Sequence, residues 1–299
     1  MKLIFLLFLA LISILASSQN LNYNGATGVI YSPNYPSDYD NSANVVYTIT
    51  VPTGHSIHLT FLDFLTEDPY DFLAIQQGTG DDAKTLENYA SISGDRTGFS
   101  LQINASEATL LFKSDLTTTF RGFAIQFDMV LDGTMYMPSN TCSSPMHTSS
   151  FGIVTSPNFP NNYPDSMSCS YLLIAPSTHV ITLQFLMFNT EDGYDIVYVY
   201  DGSNNSFPLL GKFSGNYGKK LPETITSSGN TLYLFFQSDL VNNFSGFSGL
   251  YTSTDPQNDY RRGVLPQSIQ TDATPRRDIN ILKWLEKKRG GSPIVAHSF

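Results

Sequence analysis

The carboxylates of this chain recur in a pattern. "TEDPYD" at residues 66 to 71 returns as "TEDGYD" at 190 to 195, and a further Asp ends an apolar run in each half, Asp115 in "KSDL" and Asp239 in "QSDL". Glu67, Asp68, Asp71 and Asp115, then Glu191, Asp192, Asp195 and Asp239, form two sets of hard oxygen donors. Three carboxylates brought to one place repel one another unless a cation lies between them. Oxygen donors suit calcium, which takes 6 to 8 oxygens at about 2.3 to 2.6 Å, with backbone carbonyls and waters completing the set. The plain alternative is a solvated acidic turn copied by duplication, and spacing leaves both open.

Other chemistry is poorly supplied. The five histidines, His55, His58, His147, His179 and His297, form no HExxH helix, and neither a GxSxG elbow nor a GKS or GKT loop occurs. His55 and His58, three apart on a strand, point to opposite faces and read as surface residues. Paired carboxylates also serve glycoside hydrolysis, but their repetition in two small units without a cleft signal favours metal or partner binding. The chain therefore reads as non-enzymatic.

The elements that must position these acids are also duplicated. "VIYSPNYPSDY" (29 to 39) pairs with "IVTSPNFPNNY" (153 to 163) at an offset of 124, which holds for Phe61 and Phe185, Glu67 and Glu191, Gly78 and Gly202, and Asp115 and Asp239. No net insertion separates the copies. Short runs such as "SIHLTFLDF", "VITLQFLMF", "ATLLFKSD" and "TLYLFFQSD" alternate or crowd β-branched and aromatic residues between turn residues, with almost no helical period. Such strands predict an all-β chain of two tandem antiparallel sandwiches.

The ordered set "SPNYP..Y", "F.TE..YD", "YDG" and "F.SD.....GF", met twice, resembles the CUB domain. The resemblance covers residues 23–130 and 142–254 and implies a compact jelly-roll sandwich of extracellular proteins. It implies a calcium site in each copy, with ligands Glu67, Asp71 and Asp115, then Glu191, Asp195 and Asp239. Tyr39 and Tyr163 would support these by hydrogen bonding. Asn242 stands where the family often places an Asn near the ion, and Thr118 replaces it in the first copy. One departure is the Glu-to-Asp loop, here only three residues long, which either moves Asp71 and Asp195 off the ion or brings in Asp68 and Asp192.

Bulk properties frame the function. Residues 1–18 place Lys2 before a largely apolar run of 13 residues, Leu3 to Leu15, too short for the roughly 20 of a membrane helix; they read as a secretory signal peptide. The mature chain is thus expected to be soluble, secreted and extracellular. Residues 19–254 hold 7 basic and 21 acidic residues, net −14, while 255–299 are basic at +3. Such a body disfavours nucleic acid and favours cations or basic partners. The only cysteines, Cys142 and Cys169, predict one disulfide in an oxidising compartment, worth roughly 3 kcal/mol. The first copy has none, and is expected to melt below the second. Sequons at Asn104, Asn204 and Asn243 suit glycosylation.

The tail, 255–299, reads as flexible, with a short helical pattern in "INILKWLEKKRGG". The resulting expectation is a secreted, calcium-dependent binding protein that receives partner Lys or Arg side chains, or glycans, on acidic loops. The rivals are a precursor whose tail is released at Arg261-Arg262, Arg276-Arg277 or Lys287-Lys288-Arg289, and an accessory subunit of an extracellular protease.

Overall fold

The computed structural model describes residues 19–142 and 146–256. The signal segment and the tail's basic clusters lie outside the described residues. Within them no helix is long and apolar enough to cross a membrane. The first copy runs β1 (Gln19–Asn24), β2 (Thr27–Tyr31), β3 (Asn44–Thr50), β4 (His55–Leu65), β5 (Phe72–Gln77), β6 (Lys84–Thr85), β7 (Ser100–Ile103), β8 (Glu107–Lys113) and β9 (Gly122–Leu131). The second repeats it as β10 (Met146–His147), β11 (Phe151–Thr155), β12 (Ser168–Ile174), β13 (Val180–Asn189), β14 (Ile196–Tyr200), β15 (Leu209–Phe213), β16 (Ile225–Thr226), β17 (Thr231–Gln237) and β18 (Gly246–Thr254).

Each copy is a sandwich of a five-stranded and a four-stranded sheet, ordered β1-β3-β8-β5-β6 with β2-β9-β4-β7, and β10-β12-β17-β14-β15 with β11-β18-β13-β16. The all-β tandem architecture is as expected, with one difference. β1 and β10 run parallel to β3 and β12, so the larger sheets are mixed. The chain reverses once into β2 and again into β3, and β3 therefore returns in the direction of β1.

Period-two alternation turns one face of every long strand inward. Phe61, Phe64, Phe112 and Phe123, and their counterparts Phe185, Phe188, Phe236 and Phe247, are almost wholly buried. Each such ring contributes roughly 1.5–3 kcal/mol by burial. Cys142 and Cys169 form the disulfide, tying the segment before β10 to β12. The offset of 124 also slips locally: Thr66 N bonds Gly94 O, while Thr190 N bonds Gly215 O, an offset of 121, and 124 is restored where Leu59 pairs Leu101 and Leu183 pairs Ile225.

The four-stranded sheets pack outer face to outer face. Tyr35, Ala124, Leu186 and Leu250 are buried together, with Val29, Tyr31, Phe151 and Ile153 around them, and Phe151 sets its ring edge against Tyr31 at 5.5 Å. A bulge interrupts the pairing of β4 with β9 between Phe61 and Asp63. The ladder thus frees the Leu62 carbonyl, which accepts from Ser248 Oγ of the second copy at 2.7 Å.

Beneath this contact Arg121 makes a forked bond to Asp63, with Nε to Oδ2 and Nη2 to Oδ1 both at 2.8 Å. Tyr35 OH donates to the same carboxylate at 3.0 Å. Burial alone would lower the Arg121 pKa, but the hydrogen bonds and charge of Asp63 reverse this and raise it.

This packing also corrects the reading of His58 as a surface residue. His58 is 8% exposed, because Tyr136, from the segment joining the copies, stacks on its ring at 3.8 Å. Tyr136 OH donates to Asp128 Oδ2 at 3.0 Å, and its backbone N–H donates to Gln102 Oε1 at 3.2 Å. The joining segment is thereby laid along the first sandwich.

Candidate metal centres

Each acidic set sits at one end of its sandwich, where β4 and β8, or β13 and β17, give way to loops. A short turn closes on itself after β4, Asp71 N donating to Glu67 O at 2.9 Å, and its counterpart after β13 is Asp195 N to Glu191 O at 3.2 Å. Thr66 Oγ1 donates to the Asp71 carbonyl at 2.9 Å and Thr190 Oγ1 to that of Asp195 at 2.8 Å. The Thr of each "TED" therefore clamps the turn, a role the spacing of carboxylates did not reveal.

The three-residue loop brings Asp71 and Asp195 in, not their neighbours. Glu67, Asp71 and Asp115 each direct an oxygen into one space, these atoms lying within 4.8 Å of one another, and Glu191, Asp195 and Asp239 do the same. Asp68 accepts instead from Ser93 Oγ at 2.6 Å, and Asp192 from Ser214 Oγ at 3.3 Å. Those two carboxylates hold the neighbouring loop.

The supporting tyrosines work from below. Tyr39 is 1% exposed, wedged edge-on against Phe112 at 5.1 Å. Its hydroxyl donates to Asp71 Oδ2 at 2.6 Å and accepts from Glu67 N–H at 3.1 Å. Tyr163 repeats both contacts with Asp195 and Glu191 at 2.6 and 3.1 Å. Burial, then the bond to the aspartate, raises both tyrosine pKa values, so each hydroxyl keeps its proton and stays a donor. The Tyr39 loop also needs Gly122, whose φ is +79°: a Cβ there would overlap Ser32 Oγ and press on the Tyr39 ring.

The remaining bonds aim the carboxylates. Asp71 Oδ1 accepts from Asp115 N–H at 2.7 Å, and Asp195 Oδ1 from Asp239 N–H at 2.7 Å. Asp115 Oδ1 then accepts from Thr117 N–H at 2.8 Å and Asp239 Oδ1 from Val241 N–H at 3.0 Å. Asn242 Nδ2 donates to Glu191 Oε1 at 2.8 Å. Thr118 shares the left-handed backbone of Asn242, with φ of 52° and 62°.

Glu67 Oε2 and Glu191 Oε2 are buried with no hydrogen-bond partner among the described residues. Two unit charges about 5 Å apart repel by roughly 3 kcal/mol at an effective dielectric near 20. Convergent carboxylates plus an orphaned buried oxygen are hard donors of the type that suits a hard cation.

Two sandwiches of one topology thus each carry a tyrosine-braced triad of carboxylates at one end. Residues 18–127 and 142–251 match the CUB domain model, and the chain belongs to the CUB domain family. It is 32% identical to rat cubilin over 235 residues, which is 76% of this chain but 6% of cubilin. It is 33% identical to rat procollagen C-endopeptidase enhancer 1 over 238 residues, 76% of this chain and 49% of that protein. The chain thus spans a small part of the one and about half of the other. A solved MASP-1 CUB2 domain bound to Ca2+ is 31% identical, aligning over 37% of this chain and 99% of its own with a TM-score of 0.33.

Proposed function

We propose that this chain is a secreted, non-enzymatic binding protein whose two CUB domains each hold one calcium ion. The ligands are Glu67, Asp71 and Asp115 in the first domain, and Glu191, Asp195, Asp239 and Asn242 in the second. Asn242 serves through its side-chain oxygen, since its Nδ2 donates to Glu191. The observation that carries this reading is the orphaned Glu67 Oε2 and Glu191 Oε2, buried beside two further carboxylates in the same arrangement twice. When bound, calcium supplies the positive charge that lets three carboxylates share one loop end.

The protein groups do the rest. Tyr39 and Tyr163 hold the buried aspartates, and the half-buried Asp115 and Asp239 keep a carboxylate oxygen for a partner at the loop surface. A partner Lys or Arg that meets such an oxygen makes a charge-assisted bond worth roughly 1.5–3 kcal/mol, and the net charge of −14 in residues 19–254 draws basic partners in. Glycans at Asn104 and Asn204, both exposed, leave these loop ends open. A glycan at Asn243, four residues after Asp239, would instead crowd the second loop end, so either the partner tolerates it or that sequon is unused.

Isothermal titration with calcium tests the metal sites: two sites are expected in the parent, one after Asp239→Ala and none after Asp115→Ala with Asp239→Ala. Absence of heat in the parent sinks the reading. Partner capture from extracellular fluid should be lost in chelator. The 33% identity to an endopeptidase enhancer favours one form of this function, an accessory that presents a protein substrate to an extracellular protease.

A further inference from the structure

The two domains share their fold and their acidic loops, yet they differ sharply on the solvent-facing side of the five-stranded sheet. In the first domain one cross-strand row reads Thr48, Thr109, Gln76, Thr85. It satisfies itself: Gln76 Nε2 donates to Thr85 Oγ1 at 3.0 Å and Thr109 Oγ1 to Gly78 O at 2.9 Å. The same row in the second domain, position for position, reads Leu172, Tyr233, Tyr200, Leu209.

The next row deepens the contrast. Phe235, Tyr198 and Lys212 lie side by side, with the Lys212 ammonium 5.7 Å from the centre of the Tyr198 ring, where the first domain has Leu111 and Ala74. Tyr198, Tyr200, Tyr233 and Phe235 are half-buried, with Tyr200 and Tyr233 at 6.1 Å and Tyr198 and Phe235 at 6.4 Å, and Leu209 is 52% exposed. Four strands at about 4.8 Å spacing make this a largely aromatic strip roughly 15–20 Å long.

We propose that this face is where a second copy of the chain docks, sheet face on sheet face. The two rows contain no carboxylate and no amide, so neither copy brings a fixed negative charge to the contact. The acidic triads lie on loops off these rows, and two copies of an acidic chain can meet here without bringing carboxylates together. The face also carries both halves of its own complement, an ammonium and rings for an ammonium to cover, as a two-fold contact requires. The chain already packs in this way, since its four-stranded sheets bury Tyr31, Tyr35, Phe151, Leu186 and Leu250 between their outer faces.

Sedimentation equilibrium of the full chain tests this, using the parent and the variant Leu172→Thr, Tyr233→Thr, Tyr200→Gln, Leu209→Thr, which installs side chains the first domain carries at the same places. The parent should approach twice the monomer mass in calcium and in chelator alike. The variant, with its melting transition intact, should lose at least about 100-fold in association. If it fails to fold, Tyr200→Gln and Lys212→Glu, each alone, should still weaken association. A parent that stays monomeric, or a folded variant or both single variants that associate as the parent does, overturns the proposal. Dimerisation unchanged by Asp115→Ala with Asp239→Ala separates this face from the calcium sites.

Discussion

Three positions change together between the copies: Tyr35, Asp63 and Arg121 in the first stand where the second has Phe159, Met187 and Ser245. Asp63 is fully buried, so Arg121→Ser alone leaves a charge without its partner and should cost about 3–5 kcal/mol. Arg121→Ser with Asp63→Met and Tyr35→Phe installs the second copy's set and should recover most of that loss. Thermal unfolding of the two variants checks the sign, and equal melting points would contradict it.

His58 supplies a pH dependence. Burial lowers its pKa to about 4 from 6.5, with Asp128 pulling weakly the other way. Between those values the unfolded chain binds the extra proton, so the contribution of neutral His58 is whole above about pH 6.5 and fades as pH falls toward 4. Compared by urea unfolding at about pH 7 and about pH 4.5, His58→Phe should gain on the parent by on the order of 2 kcal/mol. A difference that does not move with pH argues against it.

Among the elements, the first strands show how the copies are tied. β10 pairs with β12 over two residues and is helped by the Cys142–Cys169 link. β1 pairs with β3 over six residues and has no such link. Reduction should therefore destabilise the second sandwich by roughly 3 kcal/mol and leave the first unchanged, as two transitions in calorimetry would reveal. The long β1 also narrows the deficit expected of the first domain from its lack of cysteines.

Strand positions and core rings were legible because alternation is a local signal: Phe61, Phe64 and their counterparts declare an inward face wherever they lie. The acidic sets were legible too, but Asp68 and Asp192 recur at the same offset, and only the resemblance picked the triads out of them. The burial of His58 was not, because it depends on Tyr136, 78 residues later. The clamps Thr66 and Thr190 were visible in both "TED" strings, but only the fold shows their hydroxyls turned onto the carbonyls of Asp71 and Asp195.

At the scale of the molecule, residues 19–254 fall within one compact unit, and the buried patch between the sandwiches is the reason. Expressed separately, each domain exposes that patch. Both should melt below their transitions in the tandem chain, and equal melting points would show that the contact contributes nothing.

The face-to-face packing also sets a valency. A CUB sandwich of this design has one four-stranded sheet and hence one outer face of this kind, and here each face is spent on the other. A third domain of the same fold finds no vacant seat of that type on the pair. The contact closes at two where a chain of solenoid repeats would propagate, and further growth must use other surfaces.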